Sequence, residues 1–436
     1  MKKKLIALIL IFLLTFSVPA SAYQISGFDL HCEAAMLISL DTGDVLFSKN
    51  ADKKMYPASL AKIMSAIVMI ENVTDLENEE IPYTESANNK ILGTGSVVLG
   101  LKIGEKMKAK DALYALLISS CGDVAYAISE YVGGTTEEFV DKMNSKAAEL
   151  GLTGTHFTNP VGLHDDDLYS TANDIAIMTQ YALKYDIFKK IISSNSYKLS
   201  ATNMAKERTI ISTNMLITPS SSAYYQYATG GKTGFTDEAG RCLMSTAQYE
   251  GYNYLAVVLK AKTINGTRNE FIDSANLFRW AFRGFEYKTV LDSTTPVVEA
   301  PVELSFETDF VSLCLEGGLN ALLPKDADSS TIKIEPKLAK ESFDAPIKQG
   351  DVMGTADIYY AEEKIGTLNL VASKSVKRSG ILVFLRVAKR LFTSPVMIVV
   401  YVIVGVAALL FIAMTIKLNS NKKRRRKIKY KPMNKN

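Results

Sequence analysis

The chain of 436 residues has few of the side chains that carry metal and redox chemistry. Its three histidines, His31, His156 and His164, show no H-E-x-x-H or comparable ligand spacing. Its four cysteines, Cys32, Cys121, Cys242 and Cys314, contain no C-x-x-C pair, and their spacing fixes no disulfide pattern. Acid is absent from residues 1–22 and from residues 374–436. The remainder, residues 23–373, therefore holds 31 basic against 46 acidic groups, a balance of −15, although the whole chain is formally +4. All the excess positive charge lies beside hydrophobic segments, which argues against a nucleic-acid partner and for a membrane. A phosphate-binding loop is missing too. Gly231-Lys232-Thr233 would need a glycine five positions earlier, and Gln226 stands there.

The hydrophobic segments sit at the two ends. Met1–Ala22 has Lys2–Lys4, an apolar core from Leu5 to Phe16, and Ala20-Ser21-Ala22, the pattern of a secretory signal with cleavage before Tyr23. Val396–Ile416 runs without a charge, long enough for one transmembrane helix. The basic tail 417–436 after it is expected in the cytoplasm by the positive-inside rule, which leaves the body outside. Between body and span, residues 374–392 place Arg386, Lys389 and Arg390 at helical spacing among apolar residues, an amphipathic juxtamembrane segment for the outer leaflet.

Within the body, Ala34–Leu40 and Val45–Lys49 flank a turn and predict a hairpin. Residues 105–200 read as a mostly helical insertion, with Thr135-x-x-Glu138 as a capping box. Arg241–Ala247 and Tyr252–Lys260 are strand-like around Glu250-Gly251, and Ser274–Phe282 is an amphipathic helix holding Trp280, the single tryptophan. Pro296 and Pro301 mark a boundary. Beyond it, Val302–Phe306, Thr331–Glu335, Val352–Tyr360 and Lys364–Ala372 predict a small all-β domain over 297–373, after a first domain ending near 290.

Three groups carry chemistry. Ser59-x-x-Lys62 opens an apolar helical run, where the spacing puts a hydroxyl and an amine on one face beside the positive end of the helix dipole. Read alone, it is an ordinary cap with a solvated lysine. Ser120-x-Gly122 and Lys232-Thr233-Gly234 follow it in order. Ser119 offers a second register for the middle group, and Asp123 with the helix after it favours Ser120.

With these motifs, and with Tyr169-Ser170-Thr171-Ala172 and Gly231–Thr236 between and after them, the chain resembles low-molecular-mass serine penicillin-binding proteins of the D-alanyl-D-alanine carboxypeptidase type over about residues 30–375. The resemblance implies an α/β (α+β) fold: an antiparallel sheet flanked by helices, as in β-lactamases and DD-peptidases, with a helical subdomain and a small all-β C-terminal domain. It implies no cofactor and no metal. The expected substrate is the D-Ala-D-Ala end of a peptidoglycan stem peptide, and β-lactam antibiotics are expected inhibitors.

By the same resemblance, Ser59 is the acylated nucleophile, Lys62 its base and Ser120 a proton relay. Lys232 and Thr233 hold the substrate carboxylate, Gly234 and Phe235 complete the binding strand, and Arg268 assists Lys232. The backbone N–H groups of Ser59 and Phe235 form the oxyanion hole. A class A β-lactamase would need Glu-x-x-x-Asn between Asp123 and Lys232, and none occurs. One residue departs from the pattern. Gly122 replaces the asparagine whose carboxamide would touch substrate, which leaves open a slow enzyme or a penicillin-binding wall-recognition protein without turnover; a DD-endopeptidase is a further alternative that does not depend on Gly122. On sequence alone, Gly122→Asn is expected to raise turnover or leave it unchanged.

Overall fold

The computed structural model describes residues 29–428 apart from residues 292, 294, 295, 329, 330 and 361. The signal-like segment Met1–Ala22 and the last residues of the basic tail lie outside the described residues. The chain divides into two compact units, one reaching Glu286 and including Leu322–Lys325, the other formed by Tyr287–Ala321 and the chain from Asp326 onward.

The first unit is built on a five-stranded antiparallel sheet. Its strands are β1 (Ala34–Ser39), β2 (Val45–Lys49), β3 (Ala228–Thr236), β4 (Gly240–Tyr249) and β5 (Tyr252–Ala261), in the order β2-β1-β5-β4-β3. The hairpin β1–β2 and the turn at Glu250-Gly251 stand where the sequence predicts them. β5 shows why a run of Leu255-Ala256-Val257-Val258-Leu259 becomes a central strand. Side chains alternate across a strand, so Leu255, Val257 and Leu259 enter one core while Tyr254, Ala256 and Val258 enter another. Both faces are buried, and the pattern is continuous rather than alternating.

One face carries the helical layer: α1 (Lys62–Asn72), α2 (Ala109–Leu117), α3 (Gly122–Gly133), α4 (Thr136–Glu149) and α5 (Ala172–Ala182). α1 is buried on all sides from Lys62 to Met69, as a helix apolar all round must be. The Thr135 hydroxyl accepts the Glu138 N–H at 3.1 Å, the predicted capping contact that starts α4. On the other face, α6 (Asn269–Gly284) packs Phe271, Phe278 and Ala281 against the sheet.

The second unit holds a six-stranded sheet. Its strands are β6 (Pro296–Glu303), β7 (Phe310–Leu315), β8 (Ile332–Leu338), β9 (Phe343–Asp344), β10 (Val352–Tyr360) and β11 (Glu363–Ala372), in the order β8-β10-β11-β7-β6-β9. Here the prolines mislead a reading from sequence: the strand starts at Pro296 instead of Val302. β9 pairs only with Val302 and Glu303, so Pro296 and Pro301 lie along an open edge where a missing N–H costs no ladder bond. A helix α7 (Gly380–Phe392) follows, with Ile381, Phe384, Leu385 and Leu391 exposed. Its Arg386 pairs with Asp344 at 2.6 Å and also with Glu303. The long helix α8 (Pro395–Ile428) contains a stretch, Pro395–Ser420, that is apolar and long enough to cross a bilayer.

Candidate active site

Ser59 lies in a 3-10 turn, Ala58–Ala61, that leads directly into α1. Three residues per turn eclipse positions i and i+3, which aligns Ser59 and Lys62 more closely than an α-helix would. The Lys62 Nζ donates to Ser59 Oγ at 3.0 Å and to the Val161 carbonyl at 2.6 Å. That carbonyl was not evident in the sequence. It is aimed by the Asn159 carboxamide, which accepts the N–H groups of Val161, Gly162 and Leu163 at 3.2, 2.8 and 3.0 Å. Asn159-Pro160 is the turn signal that could have found it. Ser59 is half-buried and Lys62 fully buried.

Burial drives the Lys62 ammonium from its ordinary 10.5 down to about 7, with Cys121 and Asp123 opposing the shift weakly. A base near neutrality is what an unactivated hydroxyl needs. Lys232 on β3 is also buried, and desolvation, then the charge of Lys62, holds it well below its ordinary value. An anion lying against Lys232 would offset that penalty by opposite charge and favour the cation.

The Lys232 Nζ donates to Ser120 Oγ at 2.9 Å and to the Thr233 carbonyl at 2.8 Å. Ser119, the rival register, turns away and donates to the Ile211 carbonyl at 2.9 Å. Ser120 adopts φ +61°, a left-handed conformation uncommon for serine and of the kind concentrated at functional sites. The Thr233 hydroxyl shares a 2.6 Å hydrogen bond with Thr213, a residue that sequence reasoning missed because nothing local marks it. Cys121 is buried among these groups, its thiol pushed up to about 12 by burial and therefore neutral.

β3 is an edge strand, so one of its sides is free of ladder partners and faces the serine turn. The approach is close. A Cβ on Gly234 would stand 2.9 Å from the Pro57 carbonyl and 3.2 Å from the Ser59 nitrogen, so glycine is required there. The neighbouring Phe235 is half exposed, with the Arg241 guanidinium over its ring at 4.2 Å. Arg268 is not joined to this group by any hydrogen bond among the described residues. Its Nε and Nη2 donate to the buried Glu270 carboxylate at 2.7 Å, and its guanidinium lies over Phe271.

At Gly122 the structure adds a packing cost that the sequence does not show. A Cβ at this position would lie 2.5 Å from Ser96 Oγ and 2.7 Å from Ile91 Cδ1. Gly122→Asn requires the ends of Ser96 and Ile91 to turn aside, and is therefore expected to lower thermal stability by about 1 kcal/mol, the low end for overpacking, and to reduce turnover. Thermal unfolding alongside a turnover assay checks this; unchanged melting with faster turnover would contradict it.

The chain is similar to known proteins along most of its length. A family model described as D-alanyl-D-alanine carboxypeptidase matches residues 20–263, and a second, penicillin-binding protein 5 C-terminal domain, matches residues 285–378. The D-alanyl-D-alanine carboxypeptidase DacF of Bacillus subtilis is 32% identical over 88% of this chain and 97% of its own length. A D-alanyl-D-alanine endopeptidase of Pseudomonas aeruginosa is 28% identical over 65% of this chain and 90% of its own. Among solved structures, penicillin-binding protein 5 from Haemophilus influenzae aligns with a TM-score of 0.62 at 25% identity, covering 81% of this chain and all of that one.

Proposed function

The chain belongs to the D-alanyl-D-alanine carboxypeptidase family, serine hydrolases of peptidoglycan stem peptides, and from that premise we propose that Ser59 is the residue acylated. The observation that carries this assignment is the pair of buried lysines with one hydroxyl each: Lys62 on Ser59 at 3.0 Å and Lys232 on Ser120 at 2.9 Å.

In the proposed reaction, neutral Lys62 takes the Ser59 hydroxyl proton as Oγ attacks the carbonyl of the penultimate D-alanine. The oxyanion is held by the backbone N–H groups of Ser59 and Phe235, each donor typically worth about 3–4 kcal/mol. The C–N bond to the last D-alanine then breaks, and Ser120 passes the proton from Lys62 to the departing amine. Water then attacks the ester, giving a proton to Lys62; as the C–O bond to Ser59 breaks, Lys62 passes that proton to Ser59 Oγ, which regenerates the hydroxyl and the neutral amine. Lys232, Thr233 and Gly234 seat the terminal carboxylate by charge and hydrogen bonds. Arg268 joins them only on release from Glu270. No cofactor enters the scheme. β-Lactams acylate the same serine.

The catalytic domain is assigned to residues 23–290, after a cleaved signal at 1–22, and the all-β domain to 297–373. The helix at 396–416 is assigned as a single span with the catalytic domain outside the cell membrane and tail 417–436 in the cytoplasm. Residues 374–392 lie on the outer leaflet, in keeping with the exposed apolar side of α7 and with Arg386 held by Asp344.

Incubation with a penicillin should add one covalent adduct to the folded protein, on Ser59, seen by intact mass and peptide mapping. An adduct elsewhere, or none, would sink the assignment. Gly122 favours a second reading, a penicillin-binding protein that barely turns over. Release of D-alanine from a model pentapeptide separates the two readings. Cleavage of a cross-linked stem dimer would instead indicate the endopeptidase activity.

A further inference from the structure

Resting on the assignment of Ser59, we propose that the Ser96 hydroxyl replaces the missing carboxamide at position 122 and hydrogen-bonds the amide group on the acyl side of the substrate. Gly122 follows Ser120 by two residues, at the first position of α3. The space into which its side chain would grow already holds a polar atom, Ser96 Oγ, 2.5 Å from the ideal Cβ position. A hydroxyl supplied from a different segment therefore stands where a carboxamide side chain would begin.

That hydroxyl is available. Ser96 is half-buried, and the bond described for its Oγ is a 3.5 Å contact with the carbonyl of its own neighbour, Val97, too long to be strong. The segment is nevertheless fixed. The Gly122 N–H donates to the Val97 carbonyl at 2.7 Å, and the buried Asp123 carboxylate accepts the N–H groups of Leu99, Gly100 and Leu101 at 2.9, 2.9 and 3.1 Å. Four residues that follow Ser96 are thereby tied to the start of α3, which holds the hydroxyl in place before substrate arrives. Preorganised donors need no rearrangement during reaction. Glycine at 122 and serine at 96 are then two halves of one substitution: the side chain lost from the helix is returned from the loop.

The test uses acylation rather than turnover, so that a slow deacylation does not mask the result. Benzylpenicillin carries an acylamide side chain; 6-aminopenicillanic acid lacks it. Ser96→Ala should slow acylation of Ser59 by benzylpenicillin about fivefold to tenfold, the worth of one neutral hydrogen bond, and leave 6-aminopenicillanic acid unchanged. Ser96→Thr, which keeps the hydroxyl, should restore the benzylpenicillin rate. Equal slowing with both compounds, no slowing with either, or a threonine variant as slow as alanine would overturn the proposal. Failure of the wild-type protein to be acylated on Ser59 would instead remove the assignment on which it rests.

Discussion

Ser59→Ala is expected to abolish release of D-alanine and formation of the penicillin adduct, with a fall in kcat/KM of about 10^4-fold or more. No neighbouring group can substitute for it. Ser120 Oγ is engaged by Lys232, and Cys121 is a buried neutral thiol. The fold should survive, because the Ser59 side chain is half-buried and Lys62 keeps its 2.6 Å bond to the Val161 carbonyl. A melting temperature within a degree or two of wild type, with no adduct by intact mass, is the expected result. Residual acylation at wild-type rates would place the nucleophile elsewhere.

The second large effect belongs to Lys62. Lys62→Met keeps the length and apolar stem of the side chain and removes the base, so kcat/KM is expected to fall by about 10^2- to 10^4-fold. The same change should stabilise the protein. The folded-state pKa of Lys62, about 7, lies below its ordinary 10.5, so the unfolded chain binds this proton more tightly than the native one. The resulting penalty is complete below pH about 7 and fades as pH rises toward 10.5. Wild-type stability should therefore climb with pH across that window. Lys62→Met should remove the climb and melt higher at pH 6 by a margin that shrinks by pH 9. In the wild type, kcat/KM should rise with pH and level off above about 7, since only the neutral amine is a base. An activity profile flat through that region, or a methionine variant that melts lower at pH 6, would count against Lys62 as a buried base.

The sheet-forming runs were legible because burial and side-chain period coincide in them. Tyr252–Lys260 could hardly be anything other than a strand sealed on both faces, and Val352–Tyr360 matches β10 at both ends. The order of the three motifs was legible as well. Less so was Gly231–Gly234, whose glycines weaken any strand signal and which becomes the centre of β3 only because β4 pairs with it from Gly240 onward. The edge prolines of β6 were misread for the opposite reason: propensity marks a break, and pairing tolerates it.

By itself the sequence determined which side chains could do the chemistry, and in what chain order, since Ser59-x-x-Lys62 and Lys232-Thr233-Gly234 are local patterns set by helix and strand period. Tertiary structure decided everything that depends on what approaches them. It set the Lys232 amine on Ser120 and turned Ser119 to the Ile211 carbonyl, aimed the Val161 carbonyl at Lys62, occupied Arg268 with Glu270, and filled the space at Gly122 with Ser96. Apart from Arg268 and its near neighbour Glu270, those contacts join residues 26 to 112 positions apart in a closely packed interior. A linear reading can see that glycine replaces asparagine at position 122; only the packed structure shows that a hydroxyl already stands in its place.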